Sequence, residues 1–208
     1  MKKLLLGSAS PRRKQLLEML DVPFEVVHID CDEHFHAHLK EEQIPMYLSR
    51  QKALAYRNLS DNDLLLTADT IVWIDGHMLG KPKDADEAKQ MLRMLSGQTH
   101  IVYTGVTLRW RNPFVPKEGL RGRPHPKEME QTKTIYDSTA VTFSELTDSQ
   151  IDYYIENYRP FDKAGAYGCQ DWLGATAISS IEGSFYNVMG LPVHLVAQEL
   201  QARKMLIK

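Results

Sequence analysis

The first thirteen residues constrain the chain most. Lys3-Leu4-Leu5-Leu6 is a short apolar run closed by Gly7, the pattern of a buried strand, and Ser8-Ala9-Ser10-Pro11 follows at once. Ser10 suits an N-cap. Pro11 suits the first helical position, because the N–H it lacks would have no intrahelical partner there. Leu16, Leu17 and Leu20 then mark one stripe of a helix. A strand that delivers small residues to a helix N-terminus brings free N–H groups, serine hydroxyls and the positive end of the helix dipole together, which suits an anion. Arg12 and Arg13 add two guanidinium forks that match phosphate oxygens. An ordinary strand-to-helix turn with surface arginines would read the same way, so the rest of the chain has to decide.

At 208 residues, 43% of them hydrophobic and 25% charged, the chain has the make-up of a soluble globular protein, built as one large domain or two small lobes. Its 25 basic and 27 acidic residues leave a formal charge of −2. That excludes a global attraction to nucleic acid or an anionic membrane, so any polyanion site must be a local concentration of Lys and Arg. Cys31 and Cys169 form no CxxC, and free thiols in a reducing compartment are expected. The apolar run at the start is too short for a signal sequence, and no stretch approaches the ~20 apolar residues of a membrane span. The cytoplasm is the expected location.

Strands and helices alternate through the first half. Pro23 to His28 reads as a strand, Ile29 to Gln43 as an acidic, histidine-rich loop, and Pro45 opens a helix to about Leu59. Leu64 to Thr67 and Ile71 to Ile74 are two apolar strand runs, with Asp75-Gly76 a turn signal. Asp84 with Glu87 and Thr147 with Gln150 are capping-box pairs that start helices. His100 to Trp110 and Lys133 to Phe143 read as long strands, Ala175 to Ile181 as another, and Pro192 starts a last helix. Arg111 to Thr132, rich in Pro, Gly and charge, reads as a connection of unusual length, and residues 109–133 as a whole are expected to be a mobile segment inside a single domain spanning 1–208. The second half favours antiparallel pairing, so the expected class is α/β with a mixed, twisted sheet and helices on both faces.

Among the candidate chemical residues Asp69 stands out. In LLLTADTIVWI it sits between two runs that look buried, where a carboxylate is costly unless it is paired, metal-bound or held by backbone N–H groups in a turn or bulge. Lys52 shares a helix face with Leu48, Ala55 and Leu59, so it either snorkels outward or points into a cleft. Lys81 is held between Gly80 and Pro82. Asp30, Asp32 and Glu33 have the density of carboxylates that suits a hard cation. His34, His36 and His38 lack partners at zinc spacing. Residues 162–170 and 183–192 read as binding loops. The basic run from Arg109 to Lys127 has little aromatic interleaving and reads as a solvated loop rather than a nucleic-acid surface. There is no GxxxxGK[ST], GxGxxG, HExxH or GxSxG, and nothing supports either cysteine as a nucleophile.

Taken in order, SASPRR at 8–13, the Asp32-Glu33 pair, the QKA containing Lys52, ADT at 68–70, GKP at 80–82, TGV at 104–106, DKAGAYGCQ at 162–170 and GSFYNVMGLP at 183–192 resemble the motifs of the Maf family. These are nucleoside triphosphate pyrophosphatases historically linked to septum formation. The resemblance covers residue 3 to about 200 and implies a single Maf/ITPase-like domain with a cleft between two lobes. It implies hydrolysis between the α- and β-phosphates of a nucleotide, with Asp69 as the base that orients and deprotonates water. Glu33 and Asp69 would hold Mg²⁺ or Mn²⁺, Arg12, Arg13, Lys52 and Lys81 would neutralise the triphosphate, and Ser8 with the loop backbone would cradle it. Arg12, Thr70 and Gln170 resemble the branch that prefers dTTP, UTP and modified pyrimidine nucleotides rather than the branch that prefers 7-methyl-GTP. A homodimer and a role in cleansing the nucleotide pool, with a link to division arrest, belong to the same expectation. The other function classes left open are a non-catalytic nucleotide-binding regulator and a metal-storage module using His34, His36 and His38.

Overall fold

A computed structural model of the protein describes residues 3–112 and 130–206. In chain order the elements are β1 (Lys3–Leu6), α1 (Pro11–Glu18), β2 (Phe24–Val26), α2 (Gln43–Ala55), β3 (Asp63–Ile74), β4 (His77–Leu79), α3 (Ala85–Leu95), β5 (Thr99–Arg111), β6 (Glu130–Phe143), α4 (Asp148–Tyr158), α5 (Trp172–Ala177), β7 (Ile178–Glu182), α6 (Phe185–Met189) and α7 (Val193–Ala202). The strands form one seven-stranded sheet in the order β2-β1-β3-β5-β6-β7, with β4 also paired to β3. The β1 pairings are parallel and all others antiparallel, so the mixed α/β sheet expected from the sequence is the one that forms.

Alternation along the strands sorts the core into two layers. Leu4, Leu6, Leu64 and Leu66 face α1 and α7, through Leu16, Leu17, Val196 and Leu200. Leu5 and Leu65, one residue out of phase, face Ala53 of α2. Farther along β3, Val72 and Ile74 join α3 and α4 in a separate cluster on the α1 side, while Ile71 packs under Ile44 and Leu48 of α2. The helices thus cover both faces, and one face carries two core clusters side by side.

Several local expectations need correction. The runs 64–67 and 71–74 are not two strands. They belong to β3, which pairs with β5 without a break from Leu64 to Trp73, so Asp69 lies in mid-strand and not in a turn or bulge. Helix α2 starts two residues before Pro45 and ends at Ala55, where Tyr56 turns extended. Pro45 is tolerated because N–H groups of the first turn have no intrahelical acceptor. Residues 175–177 are helical, within α5, and the strand begins only at Ile178. Of the segment 109–133, residues 109–111 and 130–133 are paired strand and so do not belong to a mobile connection. The rest of it, 113–129, lies outside the described residues. Arg109, read from the sequence as part of a solvated run, is only 6% exposed. Its guanidinium donates to the Ala53 and Tyr56 carbonyls at the end of α2, at 2.5 and 2.8 Å, and to Glu130 at 2.5 Å. A cation on the last carbonyls of a helix satisfies acceptors that have no partner within it.

One feature of the sheet positions the site. Because β5 occupies one edge of β3, β1 and β4 must share the other. β1 stops at the Leu6–Leu66 pair and β4 begins only at Val72–Leu79. Between these pairs, residues 67–71 have no strand neighbour on that edge, and the sheet is notched there.

Candidate active site

The notch opens into a cleft of about 620 Å³ lined by Ser8, Arg12, Arg13, Glu33, Lys52, Asp69, Thr70, Lys81 and Gln170, so every site residue expected from the sequence reaches one cavity. The two core clusters of the α1 face flank it.

Asp69 and Thr70 are successive residues of β3 and therefore point to opposite faces of the sheet. Asp69 points to the α2 face. Its cross-strand partner is Gly105, and a Cβ there would collide with the backbone of Pro45 and Met46. Only glycine lets α2 lie so close to the sheet at that point. Two helical turns on, Lys52 comes down beside Asp69, as Ser49 does beside Thr67, whose hydroxyl donates to the Ser49 carbonyl at 2.7 Å. Lys52 Nζ bridges two acids, Asp69 Oδ1 at 2.5 Å and Glu33 Oε1 at 2.9 Å. The Lys52 and Asp69 side chains keep only 15% and 12% of their exposure. Asp69 Oδ2 has no partner among the described residues. Burial pushes the Glu33 carboxyl up, but the hydrogen bond and charge of Lys52, with Lys81 and Arg13 beyond, outweigh it and hold the group below the usual carboxylate range.

Thr70 points to the other face, toward α1. Ser10 caps that helix on the Arg13 N–H, and Pro11 opens it, as the sequence predicts. Arg13 is anchored rather than loose. Its Nε donates to the Gly190 carbonyl at 2.8 Å, its Nη2 to the Thr70 hydroxyl at 3.0 Å, and its Nη1 lies 3.5 Å from the Ser8 hydroxyl. Gly190 offers that carbonyl from the left-handed turn that ends α6, at φ +115°. Thr70 and Thr104 share a further hydroxyl bond of 3.0 Å.

The loops 80–82 and 162–170 close the far side. The Gly165 N–H donates to the Gly80 carbonyl at 3.0 Å, which ties the segment holding Lys81 to the Asp162–Gln170 loop. Gly165 sits at φ +67° against the side chain of Val72, where a Cβ would come within 2.9 Å, so the tie depends on glycine twice over. Arg12 reaches across the cleft to Asp162 Oδ2 at 2.7 Å. Lys163 Nζ sits on Asp162 Oδ1 at 2.8 Å. Tyr167 lines the cleft, and its hydroxyl meets the buried His100 Nε2 at 2.8 Å. Lys163, Tyr167 and His100 went unnoticed as individual residues in the sequence, although the loop around Lys163 and Tyr167 read as a binding segment.

The arrangement offers two carboxylates on a shared ammonium, a clamped arginine and further cations around a notch in a sheet. The two carboxylates fit a hard divalent cation, which typically takes one or two carboxylates and completes its shell with water and phosphate oxygens. No group of three or more His, Cys, Asp or Glu side chains among the described residues could hold a metal alone. The His34–His38 run is no such site: His36 and His38 stack at 5.5 Å and His36 touches the Tyr47 hydroxyl at 3.4 Å. Cys169 is buried and its thiol is pushed up to about 12, which leaves it no nucleophile. No described helix is long and apolar enough to cross a membrane.

Fold and cleft together define an α/β protein built to hold a small polyanion beside a pair of acids. Residues 3–203 match the family described as Maf-like protein, and the chain belongs to that family. It is 50% identical over 205 residues to a protein of Porphyromonas gingivalis named dTTP/UTP pyrophosphatase, with 96% of this chain and 93% of the relative covered. Relatives of the same name from Bacillus cytotoxicus (46% identical over 201 residues, covering 97% and 95%) and Phocaeicola vulgatus (44% over 201 residues, covering 96% and 95%) match over the same extent.

Proposed function

We propose that this protein hydrolyses dTTP and UTP, and modified pyrimidine nucleotides of the same shape, between the α- and β-phosphates to give a nucleoside monophosphate and pyrophosphate. The observation that carries the reading is the gathering of Asp69, Glu33 and Lys52 on the α2 side of a cleft that Arg12, Arg13 and Lys81 also line. Relatives named dTTP/UTP pyrophosphatase support it over nearly the whole chain.

Asp69 acts as the base. One oxygen is fixed by Lys52, and the other is free to accept a proton from a water and aim it at phosphorus. Arg13, held in one orientation by Gly190 and Thr70, presents its remaining donor edge to phosphate, and Ser8 lies beside it. Lys81 has no ion-pair partner among the described residues and serves as a ready counter-charge for the leaving pyrophosphate. Asp69 and Glu33 would hold Mg²⁺ or Mn²⁺, which supplies charge neutralisation and polarises the phosphoryl group. Fixed positive charge and a positioned water are what this reaction needs most, and no covalent nucleophile is required. Thr70, Gln170 and Arg12, which line the same cleft, would set the preference among bases. The enzyme would work in the cytoplasm on the nucleotide pool.

The test is pyrophosphate release from dTTP, UTP, CTP and 7-methyl-GTP with Mg²⁺, with Mn²⁺ and with chelator. Turnover of dTTP and UTP that stops with chelator is expected. Turnover of 7-methyl-GTP alone would move the enzyme to the other branch, and tight nucleotide binding without any pyrophosphate would make it a binding regulator.

A further inference from the structure

Asp162 is shared by two cations. Its Oδ2 accepts from Arg12 Nη1 at 2.7 Å, its backbone carbonyl accepts from Arg12 Nη2 at 3.2 Å, and its Oδ1 accepts from Lys163 Nζ at 2.8 Å. The pair of cations is the more enclosed part. The Lys163 and Arg12 side chains are 14% and 21% exposed, whereas that of Asp162 is 57% exposed. Arg12, Lys163 and Asp162 all line the cleft. Burial would push the Asp162 carboxyl up, but Lys163 and Arg12 overrule it and bring it down to about 2, so the acid is charged throughout the working range. An exposed carboxylate bridging two recessed cations has the geometry of a small oxyanion held by two donors, a fork on one oxygen and an ammonium on the other.

We infer that Lys163 is a further substrate-binding residue and that Asp162 occupies, in the free protein, the place a phosphate of the substrate takes from it. This rests on the nucleotide-hydrolase reading of the same cleft. The exchange is one of hydrogen bonds only. The phosphate replaces the carboxylate on Lys163 and Arg12, and the exposed Asp162 turns to water. Asp162 is then a built-in competitor, so removing it and removing Lys163 should have opposite signs. A purely structural latch between α1 and the 162–170 loop, which is the Arg12–Asp162 contact, predicts weaker binding in the Asp162 variant and little effect of replacing Lys163, whose ammonium bonds to Asp162 within its own loop.

The experiment titrates inorganic pyrophosphate into wild-type protein and the variants Asp162→Asn, Lys163→Met and Lys163→Arg, and follows KM and kcat for dTTP in each. Lys163→Met should weaken pyrophosphate and raise KM by about tenfold, as loss of one charge-assisted contact does, with kcat changed far less. Lys163→Arg should restore most of the binding. Asp162→Asn should bind pyrophosphate several-fold more tightly. Unchanged binding in Lys163→Met, or weaker binding in Asp162→Asn, overturns the inference. If wild-type protein binds pyrophosphate with this pattern but turns over no triphosphate, the hydrolase reading fails and the anion subsite stands. If it turns over dTTP with Lys163→Met like the wild type, the subsite alone fails.

Discussion

The two walls of the cleft are electrostatic inverses of each other. On the α2 face two carboxylates, Asp69 and Glu33, share one ammonium from Lys52. Across the notch two cations, Arg12 and Lys163, share one carboxylate from Asp162. In the first wall Asp69 and Lys52 stand on the middle of a central strand and on a long helix, with 12% and 15% of their side chains exposed, while Glu33 comes from a loop and is 52% exposed. The second is built on a helix N-terminus and a loop, and its acid is exposed. The difference teaches a division of labour. A buried acid paired with a lysine, both on rigid elements, suits a reacting group that must be placed within a fraction of an ångström. A cation-rich loop whose own acid can be displaced suits a ligand that must arrive and leave.

That contrast breaks first at Asp69. Replacing it by Asn keeps shape and one hydrogen-bond acceptor but removes the base, so kcat should fall on the order of 10³-fold while nucleotide binding stays within a few-fold. Stopped-turnover assays beside binding titrations would check both halves of the statement. A variant with wild-type kcat would take the chemistry away from the α2 wall. Arg13 comes next. It belongs to the second wall, yet three protein contacts hold it, so Arg13→Ala removes a preset fork, and KM for dTTP should rise by one to two orders of magnitude, the scale of a lost charge-assisted pair. A fall in kcat with unchanged KM would show that Arg13 acts on the transition state alone, and would blur the division between the walls.

The sequence disclosed the first wall more fully than the second. Asp69 was conspicuous because an acid at the junction of two apolar runs must be paired, metal-bound or held in a turn or bulge, and Lys52 because it breaks a helical stripe. Both signals come from periodicity, which is local. What periodicity could not show is that β3 runs straight through Asp69, because the strand is held there by β5 and Gly105 from more than thirty residues away. For the same reason residues 175–177 read as strand: a short apolar run fits either period, and the Asp171 carbonyl that accepts the Ala175 N–H decides for helix. On the second wall, Asp162 and Lys163 sit in a loop with no period at all, so their partners had no signature in the chain. Arg109 is the plainest case. A charge among other charges reads as solvated, and only the fold reveals that it is buried against the end of the helix that carries Lys52.

The smallest effect on turnover at neutral pH, and the one that best separates the walls, concerns His100. It is 1% exposed, its Nδ1 has no hydrogen-bond partner among the described residues, and burial lowers it to about 4. Its other nitrogen supports Tyr167, which lines the cleft, whereas Asp69 is held by Lys52. A histidine that is neutral when folded and free to charge when unfolded makes the unfolded chain bind more protons between its two pKa values. Stability should therefore be full above about pH 6.5 and be lost as pH falls toward 4, by at most roughly 3 kcal/mol. Urea midpoints measured from pH 4 to 7 should show this slope in the wild type and a flatter one in His100→Leu, even though that variant starts lower because Tyr167 loses its hydrogen bond. Equal slopes in the two proteins would mean that other groups carry the acid sensitivity. The loop wall would then owe no part of its stability below neutral pH to the neutral state of His100.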